Sequence, residues 1–338
     1  MGEKFRKLLQ CNAVLIAAAM AAQVFAGVAS ANTVLWVQGA NRGEIPLAEV
    51  MKRVPPGYTL QQIDYPHGLW PWTGLFSATG AVSIEAGVSA LDVAIRETLA
   101  TDPGQVLVIG ESLGSLVVDQ ELRNLATEPK LDRLSFEAIA DPGRPGGLIS
   151  YIPYGLPVAL TLFTISQPVP VTPYEVKVIK LDYDGISSWP DRPWHLLAGL
   201  NAMVGGFVYH GTDHYGNAAQ EIINGTFPAR DITVEVNSMG GITTTYAAEQ
   251  NPALTHLLEP ILPQSVAFLN KYLTPIINLG YSQFTPDAGP HLAPGGALVN
   301  KNGDPVCGRK ALGSGDASRR AVAATRVSAR ESRRAAPR

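Results

Sequence analysis

Cysteine is almost missing from this chain of 338 residues: there are two, Cys11 and Cys307. Cys11 precedes an apolar stretch rather than ending one, so it lacks lipobox context. A chain processed beyond it keeps Cys307 alone. That excludes an internal disulfide, and a lone cysteine in a Gly-rich tail suits neither a Cys zinc site nor a thiol mechanism. Internal repeats are also absent. So is the pair of histidines four apart on a helix beside a glutamate that a zinc hydrolase would show. Nothing resembles a strand built to bind a peptide.

What is present is apolar. Hydrophobic residues make up 46% of the chain, ample for a full core, and exclude disorder of the whole. Lys4, Arg6 and Lys7 precede an apolar stretch from Ala13 to Ala29, closed by Ala29-Ser30-Ala31. This is the pattern of a secretory signal, with cleavage expected after Ala31; an uncleaved N-terminal membrane anchor is the other reading. Either places residues 32 onward outside the cytoplasm, secreted or in the cell envelope. From Lys301 the chain carries ten Lys or Arg against three acids, a local charge of +7 that leaves −10 for the remainder. Residues 301–338 therefore read as a basic, disordered tail, either solvated or adhering to anionic lipid or envelope polymer. The body, residues 32–300, reads as one large domain.

Within it, Val34–Val37 and Tyr58–Ile63 read as strands, and Ala81–Leu99 as a helix. Further strands are expected after Gln105, at Leu134–Ala140 and at Glu175–Leu181. Strands alternating with helices predict an α/β fold with a mostly parallel sheet and its reactive groups on loops at the strands' carboxyl ends. Two segments stand apart. Ile149–Pro173 carries no charge and reads as an apolar lid-like insertion or acyl-chain wall, with ordinary core packing as the alternative. Ile232–Tyr246 alternates apolar and polar residues around Ser238-Met-Gly-Gly241, a hairpin signal.

The densest chemical signal is Gln105-Val-Leu-Val-Ile-Gly-Glu-Ser-Leu-Gly-Ser-Leu-Val-Val118. A serine hydroxyl is a poor nucleophile unless held at a sharp, exposed turn beside a base, and Gly-x-Ser-x-Gly between a strand and a helix provides that turn at Ser112. The base and its orienting acid should follow in the order Ser, Asp, His. Asp184 lies just past a strand end, with Asp182, Asp141 and Asp191 as rivals. Of six histidines, His210 and His214 fall in a loop-like stretch after these acids. An oxyanion needs backbone N–H donors, one from Leu113 after the nucleophile and one from Gln38-Gly-Ala40, where glycine permits close approach and Ala40 donates. A metal site from His210, Asp213 and His214 is conceivable on paper but lacks the spacing a zinc hydrolase needs. No metal and no cofactor is expected.

Six ordered motifs now carry a resemblance: Asp64-Tyr-Pro66, Gly110-Glu-Ser-Leu-Gly114, Ala140-Asp-Pro-Gly-Arg-Pro-Gly-Gly147, Tyr183-Asp-Gly185 with Trp189-Pro190, Leu200-Asn-Ala202, and His210-Gly-Thr212. From Val34 to Tyr281 the chain resembles the PE-PPE domain of mycobacteria and related actinobacteria, a serine α/β-hydrolase domain often found after PE or PPE segments. The resemblance implies Ser112, Asp184 and His210 as a catalytic triad, with His214 close enough to blur the choice of base. A signal peptide in place of a PE or PPE segment looks like the secreted branch of the family, some members of which act as acyltransferases building trehalose glycolipids. The expectation is a secreted serine esterase or lipase. Acyl transfer onto trehalose glycolipids is the alternative, and a non-catalytic envelope-binding protein is a third reading. An acyl ester or glycolipid is the expected substrate, with envelope lipid as a further partner through the insert and tail, and no nucleic acid.

Overall fold

A computed structural model describes residues 32–40, 45–158 and 163–306. Residues 1–31, expected from their sequence to form a secretory signal, and residues 307–338 of the basic tail lie outside the described residues.

The first strand, β1 (Asn32–Val37), is apolar on both faces, and Val34 to Val37 are fully buried, as a central parallel strand requires. A short helix α1 (Leu47–Met51) leads to β2 (Tyr58–Gln62), whose side chains are largely exposed because it lies at the sheet edge. Then follow α2 (Gly80–Thr101), capped by the Thr79 hydroxyl, β3 (Val106–Glu111), α3 (Leu113–Leu125), β4 (Leu134–Ile139) and β5 (Val176–Leu181). After β5 come α4 (Leu196–Val208), α5 (Asp213–Ile223), the antiparallel pair β6 (Ile232–Val236) and β7 (Ile242–Ala248), and helices α6 (Ala253–His256) and α7 (Pro263–Asn278).

Among the described residues the main sheet has seven strands in the order β2-β1-β3-β4-β5-β7-β6. Every pairing is parallel except β6 with β7. Two apolar cores fill the two faces. One joins Leu35, Val37, Val108 and Phe136 to α2 and α3, and the other joins Val34, Trp36, Ile109 and Ile179 to α4, α5 and α7. This is the α/β-hydrolase arrangement the sequence pattern predicts, and the hairpin falls at Ser238–Gly241.

Most element ends lie within a residue or two of the sequence reading, and two differences have a visible cause. β4 stops at Ile139 because Ala140 takes a positive φ of 55° to begin the loop. Residues 301–306, expected to belong to a disordered tail, are hydrogen-bonded in place. Val306 N–H donates to the Leu298 carbonyl, and Pro305 bridges Val299. The uncharged insertion is a 3₁₀ turn at Leu148–Tyr151 and a two-rung hairpin pairing Pro157–Val158 with Phe163–Thr164. It is tied to α3 by Arg123, whose Nε donates to the Gln167 carbonyl at 3.0 Å. No helix among the described residues is long and apolar enough to cross a membrane.

Candidate active site

Ser112 sits between the end of β3 and the start of α3 with φ 56° and ψ −114°, the strained turn anticipated from Gly-x-Ser-x-Gly. The glycines make the turn possible by close approach. A Cβ on Gly114 would lie 2.0 Å from the Val37 carbonyl oxygen, and one on Gly110 would lie 2.5 Å from the Gly114 carbonyl oxygen.

The rest of the site converges on this turn from the carboxyl ends of neighbouring strands. His210 follows α4, and its Nε2 is 2.8 Å from Ser112 Oγ while Nδ1 is 3.0 Å from Asp184 Oδ2. With Nδ1–H donating to the carboxylate, Nε2 is free to accept the serine proton; the tautomer follows from this network. Asp184 is fully buried after β5. Besides His210 it accepts from the Ile186 N–H at 2.9 Å, the Ser187 hydroxyl at 2.9 Å and the Tyr215 hydroxyl. Burial alone would raise its pKa, but His210 and these donors hold the carboxyl below the usual Asp value. Burial likewise pushes His210 down, yet Asp184 and, at longer range, Glu111 outweigh it and raise the imidazole above 6.5.

The other candidates lie elsewhere. His214 has its Nδ1 3.0 Å from the Thr212 hydroxyl and its ring against Tyr209 and His256. Asp191 accepts from the backbone and hydroxyl of Ser282. Asp141 binds the Gly143 N–H at 2.7 Å and shares Arg144 with Asp119 on α3, a buried acid-base-acid cluster that joins the elbow helix to the loop after β4. Burial and the neighbouring Asp119 push Asp141 up to about 7. Asp182 faces Gln283, and burial pushes it to about 7 as well.

Leu113 opens α3, so its N–H is one of the helix-terminal donors with no intrahelical partner. Gln38-Gly39-Ala40 passes beside Ser112: a Cβ on Gly39 would stand 2.8 Å from the Glu111 carbonyl oxygen and 3.0 Å from Ser112 Cβ. Sequence reading singled out Asp64-Tyr-Pro66 without giving it a task. The Tyr65 hydroxyl donates to the Gln38 carbonyl and so anchors the turn that carries Ala40. Tyr215 had no assigned role either. A second buried feature has no signal in the sequence: Glu111, next to Ser112, pairs with Arg53 at 2.8 Å, and both are almost wholly buried. Arg53 in turn donates to the Glu49 carbonyl, so the α1 region is fastened to the elbow.

A sheet of this order, a serine at the β3–α3 turn and a histidine delivered from beyond β5 define the α/β-hydrolase class of fold. The PE-PPE domain model matches residues 56–282, and the chain belongs to that family. It is 35% identical over 248 residues to the PPE family protein PPE63 of Mycobacterium tuberculosis, covering 71% of this chain and 49% of that protein. It is 32% identical over 308 residues to the SL1278 acyltransferase Chp1 of the same organism, covering 83% and 70%. It is 31% identical over 237 residues to the esterase PE16, also of M. tuberculosis, covering 67% and 43%. The chain thus spans about half the length of the first of these relatives. The acetyl xylan esterase core of Trichoderma reesei overlays with a TM-score of 0.37 at 18% identity over 57% of this chain and 98% of that one. A likeness that slight bears no weight, and the fold rests on the strand order given above.

Proposed function

We propose that the chain is an exported serine esterase or lipase that works through an acyl-enzyme on Ser112. The observation that carries this reading is the hydrogen-bonded chain from Ser112 through His210 to Asp184. Ser112 Oγ attacks the ester carbonyl as its proton passes to His210 Nε2, and Asp184 stabilises the imidazolium. The negative charge on the former carbonyl oxygen is met by the N–H groups of Leu113 and Ala40. Collapse expels the alcohol, which takes the proton from His210. Water, deprotonated by the same imidazole, then attacks the acyl-enzyme and frees the acid.

A second reading keeps the first half and replaces water with a sugar hydroxyl, making an acyltransferase. Relatives named as an esterase and as an acyltransferase support the two about equally. The family resemblance points to trehalose glycolipid as acceptor. Export rests on the leader sequence, and envelope association on the uncharged insertion and basic tail.

The test sets the protein beside Ser112→Ala against acyl esters of graded chain length, with and without trehalose glycolipid, and identifies products by mass spectrometry. Free acid that falls by about 10⁴-fold in the variant supports hydrolysis. Acylated sugar with the same dependence supports transfer, and product formed equally by both proteins overturns the serine mechanism. N-terminal sequencing of protein from the culture medium, expected to begin at Asn32, tests export.

A further inference from the structure

Three segments leave the carboxyl ends of parallel strands around Ser112, and none contains Asp, Glu, Lys or Arg: residues 65–84 after β2, 145–174 after β4 and 193–212 after β5. In a chain with 16% charged residues, such stretches should each hold several charges, so the face that surrounds the serine is distinct from the rest of the molecule.

Two of these segments leave several of their large apolar side chains in solvent. α4 lies with its backbone directly on the Asp184 loop: a Cβ on Gly205 would stand 1.8 Å from the Tyr183 carbonyl oxygen. Its buried face is Ala198, Asn201, Ala202 and Gly205. The opposite face holds Leu196, Leu200, Met203 and Phe207, spaced at helical intervals and pointing away from the protein, with Leu196 82% and Phe207 85% exposed. The loop after β2, tied through the Tyr65 hydroxyl to the Gln38 turn beside Ser112, carries Leu75, 76% exposed, and Phe76, wholly exposed. A helix ordinarily buries its apolar face, and exposed apolar side chains on two charge-free segments at the same end of the sheet mark a docking surface.

We infer that this edge seats on a lipid surface, with Leu196, Leu200, Met203 and Phe207 of α4 and Leu75 and Phe76 of the loop after β2 entering the acyl region. The occupant follows from charge: these ridges offer no ion to pair with a protein or polyanion, while a body (residues 32–300) of net charge −12 is repelled by anionic surfaces, leaving an uncharged lipid face as the complement. The inference rests on the ester-cleaving reading for its purpose: a substrate held in the lipid phase reaches Ser112 without passing fully through water.

The test places a polarity-sensitive fluorophore on Phe207→Cys, in the full chain with Cys11→Ser and Cys307→Ser, and adds phosphatidylcholine vesicles. The same label on Lys130→Cys, at the opposite edge, is the control. A blue shift at position 207 with none at 130 is expected, and label 207 blind to vesicles overturns the inference. A label at 207 already shielded without lipid also overturns it, in favour of a second copy where shielding grows with protein concentration and of a segment of the same chain where it does not. In parallel, Leu200→Asp with Phe207→Asp should cut cleavage of a long-chain ester in vesicles by about tenfold or more while changing cleavage of a soluble butyryl ester less than about twofold. Equal losses on both overturn docking. Loss of ester cleavage is read separately with Ser112→Ala, whose vesicle-induced shift at position 207 should persist, so failure of the serine mechanism leaves docking standing and the converse.

Discussion

Asp184 is buried with four donors on its two oxygens, and the Tyr215 hydroxyl is the one supplied from outside its own loop and His210. Tyr215→Phe keeps the ring in its packed site and removes that donor. We expect kcat to fall about tenfold with KM little changed, and stability to drop by about 1 kcal/mol in urea denaturation. In the proposed mechanism the His210 imidazole must be neutral to accept the serine proton, and its pKa is raised above 6.5, so the acid limb of kcat/KM is expected above pH 6.5. Removing the Glu111 charge lowers that pKa, and in Glu111→Gln the limb should move toward lower pH. The same change leaves Arg53 buried without its partner and should cost about 3–5 kcal/mol of stability. A limb that stays in place in a folded variant would show that Glu111 does not act on the base. The serine turn was legible because everything that makes it lies within a few residues. Tyr215, Tyr65 and Arg53 were not, because their partners stand 31, 27 and 58 positions away and only the assembled sheet brings them together. Spacing alone could not separate His210 from His214 either; in the folded chain His210 meets Ser112 and Asp184, while His214 meets Thr212.

At the scale of elements, the parallel strands were readable from apolar runs, whereas the role of α4 was not. Its sequence is apolar all round, which by itself describes a fully buried helix. What decides its placement is two small residues: Gly185 admits the Ala202 backbone, and Gly205 admits the Tyr183 carbonyl. The neighbouring Gly206 meets nothing nearer than the Ile186 side chain at 3.8 Å. Gly205→Ala should therefore lift α4 off the acid's loop, costing about 1–3 kcal/mol and lowering kcat through a displaced His210. Gly206→Ala should leave kcat unchanged and raise helix stability by up to about 1 kcal/mol. Thermal unfolding and ester kinetics on the pair check both. If Gly205→Ala behaves like Gly206→Ala, the close contact does not set the position of the base.

The whole molecule reaches beyond the stretch matched by the family at both ends. β1, at residues 32–37, is inserted between β2 and β3 and carries the turn to Ala40, so the sheet has no continuous middle without it. At the other end, residues 283–306 add no strand to the main sheet; Leu292 N–H donates to the Asp191 carbonyl and Gly295 N–H to the Ser150 carbonyl, and one buried side chain gathers the start of the segment. Arg192 is completely buried, and its guanidinium donates to the carbonyls of Leu279, Thr285, Gly289 and Pro290 and to the Thr285 hydroxyl, all within 3.1 Å. In the sequence it is one arginine in a Trp-Pro-Asp-Arg-Pro run, and nothing local tells that it gathers carbonyls about ninety residues away. Five acceptors around a planar fork suit Arg and not the single ammonium of Lys. Arg192→Ala strands those carbonyls and should cost about 3 kcal/mol or more, and Arg192→Lys should recover only part of it. Limited proteolysis should then cut first within residues 283–300, while the intact protein resists there. An Arg192→Lys variant as stable and as resistant as the parent would show that charge alone, rather than the fork, fastens this segment to the hydrolase core.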